Sequence, residues 1–214
     1  MGFQRFRKRM LSVNIVLLVL AFGFVGPASA QFGFSAGLNF DKLGDVKTGD
    51  RKATFDNATG YHVGLFFDLG AGIVSVRPGV FLHRFGDVVV VEDALTTKFD
   101  LNSIEVPIDV RIRALSVPAV RPYVLVGPVF SFASSNDAAF NDALRELTMS
   151  GNVGGGLELT LPGTDVTLYP EVRFSIGLMS LLEEGKEINI GGSTIVADEA
   201  SSLQTVMLRL SLRL

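Results

Sequence analysis

His62 and His83 are the residues of this chain best suited to proton transfer or metal binding. Imidazole is the side chain most often used as a general acid or base and the commonest metal ligand. Each histidine sits on the polar side of an alternating segment, Thr59–Leu69 for the first and Ile73–Phe85 for the second. A hairpin counted symmetrically around Ala71 puts His62 opposite Val80 and His83 opposite Thr59. The rings then lie about three residues apart along the strands, on the order of 10 Å. That is too far for one metal ion or a shared proton, so both are expected to be hydrogen-bonded interior histidines, and no catalytic residue is expected. An acidic stretch, Glu183, Glu184, Glu187, Asp198 and Glu199, offers candidate cation ligands. Its spacing does not match an EF-hand loop, and the expectation is a solvated acidic surface without a metal. Gly154-Gly155-Gly156 falls mid-strand with no helix after it, so it is not a phosphate loop, and no cofactor is expected.

The remaining charged residues of interest occupy strands. In Leu101–Arg113, Ile104, Val106, Ile108, Val110 and Ile112 alternate with Glu105, Pro107, Asp109, Arg111 and Arg113. Strict period-two alternation with β-branched residues is a strand signature. In the next segment Val124, Val126, Pro128, Phe130 and Phe132 form an apolar face, with Tyr123, Gly127 and Ser131 opposite. The polar faces of such segments collect Asp68, Arg77, Glu105, Asp109, Arg111, Arg113, Glu158, Glu171, Arg173, Arg209 and Arg213. One apolar face and one charged face fit a soluble barrel with charges outward or a membrane barrel with charges inward.

Three features favour the second arrangement. The polar faces are rich in glycine, which leaves a narrow interior room for long side chains. Every lysine after residue 30 lies in an expected connection, whereas the strands use arginine, whose planar fork suits buried pairing with carboxylates. The charged face also lacks the Lys, Thr and Gln mixture of a solvated barrel exterior. An arginine on a lipid face costs about 2–4 kcal/mol at the bilayer midplane. Several of them would exceed the ~5–15 kcal/mol stability of an ordinary fold. The expectation is therefore a lumen filled by paired acids and arginines, with a structural role. Arg209 is expected to find an acceptor among Glu171, Glu158 and Asp68.

Eight alternating segments can be placed: Phe32–Phe40, Thr59–Leu69, Ile73–Phe85, Leu101–Arg113, Arg121–Ala133, Met149–Leu161, Val166–Met179 and Leu203–Leu214. Connections 41–58, 86–100, 134–148 and 180–202 are long and polar, and those at 70–72, 114–120 and 162–165 are short. Long connections at one end and tight turns at the other is the layout of an all-β, eight-stranded, antiparallel, closed transmembrane barrel of the outer-membrane type. The composition agrees. Apolar residues make up 48 % of the 214, yet no run long enough for a helical span follows the N-terminal region. Cysteine is absent, which excludes disulfides and thiolate metal sites.

Residues 1–30 read as a secretory signal peptide. Arg5, Arg7, Lys8 and Arg9 form its basic start, Leu11–Val25 its apolar core, and Ala28-Ser29-Ala30 the small-residue cleavage site before Gln31. Residues 31–214 then form the barrel domain. Cleavage leaves 15 of the 19 basic residues against 22 acids, a net charge near −7 that argues against a nucleic-acid partner.

The segment "IEVPI", a short turn and "RPYVLVGP", together with Gly151–Leu178 (GNVGGGLELTLPGTDVTLYPEVRFSIGL), resembles the PorT-like outer-membrane β-barrels of Bacteroidota. The resemblance spans the mature chain and implies the barrel and its location in the outer membrane, with no catalytic residues to carry over. Its lipid would be one partner, and a protein met by the outer loops another. Among those loops, Phe140, Leu144 and Leu147 after Asp137 have the spacing of a short amphipathic helix, and Glu187–Val196 that of a hairpin turning on Gly191-Gly192. Val88–Val91 reads as an extension of the flanking strands. A structural or interaction protein of the envelope is the function expected. The alternative is a barrel transporting small or hydrophobic molecules, hinted at by Phe81, His83 and Phe85 near the mouth. An enzyme ranks last. N-terminal sequencing of the protein recovered from membranes should begin at Gln31; an uncleaved chain would identify residues 11–25 as an anchor.

Overall fold

The computed structural model describes residues 31–43, 46–48, 51–55, 58–70, 72–85, 88–92, 95–99, 101–114, 120–135, 141–142, 144–181, 187–190, 193–196 and 203–214. The segment expected to be a signal peptide lies outside them, as do the acidic residues of the last long connection apart from Glu187. Fourteen strands follow in order: β1 (Gln31–Leu43), β2 (Val46–Thr48), β3 (Arg51–Phe55), β4 (Ala58–Asp68), β5 (Val74–Arg84), β6 (Val88–Glu92), β7 (Leu95–Phe99), β8 (Leu101–Arg113), β9 (Val120–Ser135), β10 (Thr148–Thr160), β11 (Thr167–Gly177), β12 (Glu187–Ile190), β13 (Ser193–Val196) and β14 (Leu203–Arg213).

Eight of them form a closed antiparallel barrel in the order β1-β14-β11-β10-β9-β8-β5-β4. The first and last strands seal it, with Leu38 opposite Leu208 and Gly37 opposite Arg209. Each segment expected from alternation coincides with one barrel strand. The ends differ by a few residues: β1 runs on to Leu43, so Asp41 and Lys42 belong to the barrel wall and not to a loop. The expectation that lysine is confined to connections fails at Lys42, which is exposed at the strand's end.

The alternation sorts the side chains by face. Leu38, Leu65, Leu82, Val110, Val126, Val153, Val172 and Leu208, one from each strand, are exposed on the outside. Soluble monomers rarely expose apolar patches beyond a few hundred Å². A belt running right around the barrel is the surface of a protein whose outer solvent is hydrocarbon. No described helix is long and apolar enough to cross a membrane.

One register differs from the sequence reading. β4 and β5 pair with His62 directly opposite His83, not three residues apart. The two strands close on the Leu69–Val76 bridge, which moves the hairpin axis from Ala71 to a point between Gly72 and Ile73. Gly70 and Gly72 have φ of +115° and +88°, and this left-handed backbone lets the chain turn later than a symmetric count assumes.

At the end with the long connections, short strands continue beyond the barrel. β2, β3, β6 and β7 form a four-stranded sheet in that order, so Val88–Val91 belongs to a separate hairpin with β7 and does not lengthen β5 or β8. β12 and β13 form the expected hairpin, with Ile190 opposite Ser193 across Gly191-Gly192. The amphipathic helix is not seen at Leu144–Leu147. Asn141 and Asp142 carry a helical turn, but Leu144 is buried in an isolated bridge and the Arg145 amide donates to the Leu181 carbonyl at 3.0 Å. Pairing at the barrel rim has overridden the local helical pattern. Phe140 lies outside the described residues.

Leu208 is 46 % exposed while its neighbour Arg209 is 5 % exposed. Leu208→Arg should therefore lower the reversible unfolding free energy in lipid by about 2–4 kcal/mol. A harmless substitution would show that this face does not meet hydrocarbon.

Candidate functional site: the charged lumen

Ten of the eleven charged residues singled out in the sequence are buried, namely Asp68, Arg77, Glu105, Asp109, Arg111, Arg113, Glu158, Glu171, Arg173 and Arg209. Arg213, at the turn end, is partly exposed. All point into the barrel from neighbouring strands, where they sort into three tiers.

At the turn end, Asp68 accepts from the Arg111 guanidinium. Arg77, Arg113 and Arg213 stand 3.5, 3.6 and 3.9 Å from the same carboxylate oxygen. Glu158 accepts from Arg113 Nε at 2.9 Å, with Arg213 at 3.8 Å and Arg121 at 3.9 Å. Arg113 also donates to the Gly72 carbonyl at 2.9 Å, tying this tier to the β4–β5 turn.

The middle tier centres on Glu171. One of its oxygens accepts from Arg77 at 2.5 Å and from the Tyr123 hydroxyl at 2.6 Å, and the other from Arg173 at 2.8 and 2.7 Å. Arg173 reaches onward to Asp109 at 2.6 Å, and Asn152 donates to the second Asp109 oxygen at 3.3 Å. Gly156 makes room for this arrangement: a Cβ there would lie 2.7 Å from the Tyr123 hydroxyl that reaches Glu171. Tyr169, 0 % exposed, supplies a ring for three guanidiniums, with Arg77, Arg111 and Arg213 at 4.4, 4.9 and 5.7 Å from its centroid.

At the loop end, His83 places one ring nitrogen 3.2 Å from Asp41 and the other 3.0 Å from Glu105. Asp41 also accepts from Asn39 and, at 2.7 Å, from the Thr205 hydroxyl. Ser103 donates to Glu105 at 3.4 Å. The His62 ring lies 6.3 Å from that of His83 but is turned to accept from Arg209 Nε at 3.0 Å. Adjacency therefore does not make the histidines a pair. Among the described residues no group of three His, Cys, Asp or Glu side chains is placed to hold a metal ion.

Arg209 departs from its expected partners. It lies opposite Glu171 in the β11–β14 register, yet Glu171 is already engaged by Arg77, Arg173 and Tyr123. Arg209 instead donates to His62 and stacks on Phe81 at 4.0 Å. Sequence reasoning also missed Asp41 and Tyr169. Asp41 continues the inward series Gly37, Asn39 past the expected end of the first strand, and Tyr169 is in phase with Glu171 and Arg173.

Ions and rings together close the bore. The gaps between Ser35, Phe66, Arg77, Phe81, Asp109, Arg173 and Arg209 are too narrow to admit a water. Nearer the loop end a recess of about 30 Å³ opens among Phe85, Ser103, Glu105, Met207 and Leu181.

The architecture has counterparts among solved structures. Neisserial surface protein A matches with a TM-score of 0.52 at 10 % identity, covering 86 % of this chain and 96 % of that one. The outer membrane protein OprG from Pseudomonas aeruginosa matches with a TM-score of 0.52 at 14 % identity, covering 88 % and 98 %. The fold is that of the small outer-membrane barrels. No protein-family model and no curated protein matches the sequence. At these identities the likeness is one of fold.

Glu171→Gln removes the charge on which two buried guanidiniums converge. It should destabilise the barrel by about 3–5 kcal/mol, the usual cost of leaving buried charge uncompensated. Urea unfolding in micelles measures it. A loss near the ~0–1 kcal/mol of an exposed pair would mean that water replaces the lost partner.

Proposed function

We propose that this chain is an integral outer-membrane barrel of the cell envelope with a structural or interaction role, its lumen a rigid plug and its loop-end sheets the surface offered to a partner. The observation that carries the reading is the filled bore. A barrel of eight strands holds side chains and little else, and here guanidiniums, carboxylates and aromatic rings occupy the middle tier with no room for water. The apolar belt supports residence in lipid, and the fold shared with outer-membrane barrels supports the outer membrane as its location. The "IEVPI" and "RPYVLVGP" segments support kinship with the PorT-like barrels of Bacteroidota. In that setting the turn end faces the periplasm and the β2-β3-β6-β7 sheet and β12–β13 hairpin face outward.

A catalytic role has little to draw on. His83 has both ring nitrogens near carboxylates and His62 accepts from Arg209, which supports a structural role for both imidazoles. Transport of small or hydrophobic molecules is the second reading, and the loop-end recess is the feature in its favour. At about 30 Å³ it has room for a water or two and not for a solute.

The purified barrel should give no steady conductance in planar bilayers. Reproducible, long-lived openings from protein free of porins would overturn the filled-lumen reading and favour transport. Photo-cross-linkers at Lys98 and Lys186, on the long connections, should capture a discrete envelope partner in intact cells. Capture of lipid alone at both positions would argue against a loop-mediated interaction.

A further inference from the structure

The lumen's charges balance poorly along its length. At the turn end two carboxylates, Asp68 and Glu158, lie within 4.0 Å of five guanidiniums, those of Arg77, Arg111, Arg113, Arg121 and Arg213. Arg77 is committed to Glu171 at 2.5 Å. Four arginines then share these two acids, and the one other acidic side chain described at this end, Asp165, is exposed in the β10–β11 turn. Several of their donors are unspent. Arg111, 0 % exposed, has Nη1 without a hydrogen-bond partner, and so has Arg213 at Nε. Arg121 approaches Glu158 only at 3.9 Å, beyond hydrogen-bond length, and its side chain is 48 % exposed.

A buried guanidinium short of acceptors is costly, and the cost falls when an anion arrives. We propose that this mouth is an oxyanion site, in which Arg121 and Arg213, with Arg113 and Arg111 behind them, bind a phosphate group. The chemistry favours phosphate over a simple halide. Arginine forks match the oxygens of a phosphate two at a time, which a spherical halide cannot use. Arg113 is held in place by Glu158 and the Gly72 carbonyl, and Arg213 by the Thr167 hydroxyl at 2.9 Å, so the forks are fixed before the anion comes. The half-exposed Arg121 is the entry side. The phosphate can come from solution or from the headgroup of a lipid in the adjoining leaflet, since both present the same oxygens.

The test uses the chain from Gln31 to Leu214, refolded in maltoside micelles in buffer free of phosphate. Inorganic phosphate is titrated at constant ionic strength set with sodium chloride, followed by calorimetry and by the arginine Nε resonances. A second titration uses dihexanoyl phosphatidic acid. Saturable binding of inorganic phosphate that shifts the Arg121 and Arg213 signals supports a site for the free anion. Binding of the short-chain lipid alone supports a headgroup site. The double variant R121Q/R213Q should weaken binding at least about tenfold, and K42Q at the opposite end should leave it unchanged. Should the double variant fail to fold, R121Q alone decides, because its side chain is half in solvent; an affinity loss of about threefold or more is expected from one lost charge-assisted contact. Absence of binding by both probes, or binding that survives R121Q unchanged, would overturn the proposal.

Discussion

The need to satisfy buried guanidiniums governs this structure. Five arginines are buried with their charges inside the barrel wall and a sixth is nearly so, and each can be stable there only beside acceptors. Those acceptors come from far along the chain: Glu171 for Arg77, Asp109 for Arg173, Glu158 for Arg113 and Asp68 for Arg111. The pairs therefore staple β4, β5, β8, β10 and β11 to one another across the bore. They also specify register. Shifting any strand by one residue would exchange its two faces, turning arginines to hydrocarbon and valines to a charged interior. Hydrocarbon outside and ion pairs inside thus penalise the same error twice.

Acceptors alone would not suffice, because crowding arginines also repel. Aromatic rings separate them. Tyr169 stands among Arg77, Arg111 and Arg213, the Arg77 guanidinium lies over Phe66 at 4.4 Å, and Arg209 lies over Phe81. The electron-rich ring faces attract cations while filling space that water would otherwise enter. Ring volume has to be accommodated by the neighbouring strand, and a directly paired glycine does that: a Cβ at Gly37 would meet the His62 ring at 2.7 Å, as one at Gly156 would meet Tyr123. The glycine-rich polar face noticed in the sequence is the complement of these rings.

Much of the barrel was legible because its signal is local. Period-two alternation needs only neighbouring residues, so all eight strands and the inward direction of residues such as Arg111 and Glu171 could be read from it. What was not legible depends on distances through space. The His62–His83 register turned on two glycines with positive φ, a backbone choice that an antiparallel count around Ala71 does not contain. Of the three acids expected to accept from Arg209, Glu171 does sit opposite it, but competition from Arg77, Arg173 and Tyr123 for Glu171 is a property of the packed lumen. The Leu144–Leu147 stretch shows the limit from the other side: its helical spacing was real, and pairing of Arg145 with Leu181 at the rim outweighed it.

The tiers also differ in how much polar capacity remains, which bears on where recognition can occur. In the middle, both Glu171 oxygens and both Asp109 oxygens are taken, by Arg77, Tyr123, Arg173 and Asn152. A ligand entering there would have to displace charge-assisted bonds of 2.5–2.8 Å. The ends are cheaper to engage. At the turn end Arg121 and Arg213 stand 3.9 and 3.8 Å from Glu158, and arginine outnumbers carboxylate. At the loop end the wall gives way to sheets and a hairpin whose backbone edges lie beyond the charged lumen. The filled middle tier thus leaves the two ends, one lined by arginines and the other by the short strands of the long connections, as the parts of the lumen with polar capacity to spare.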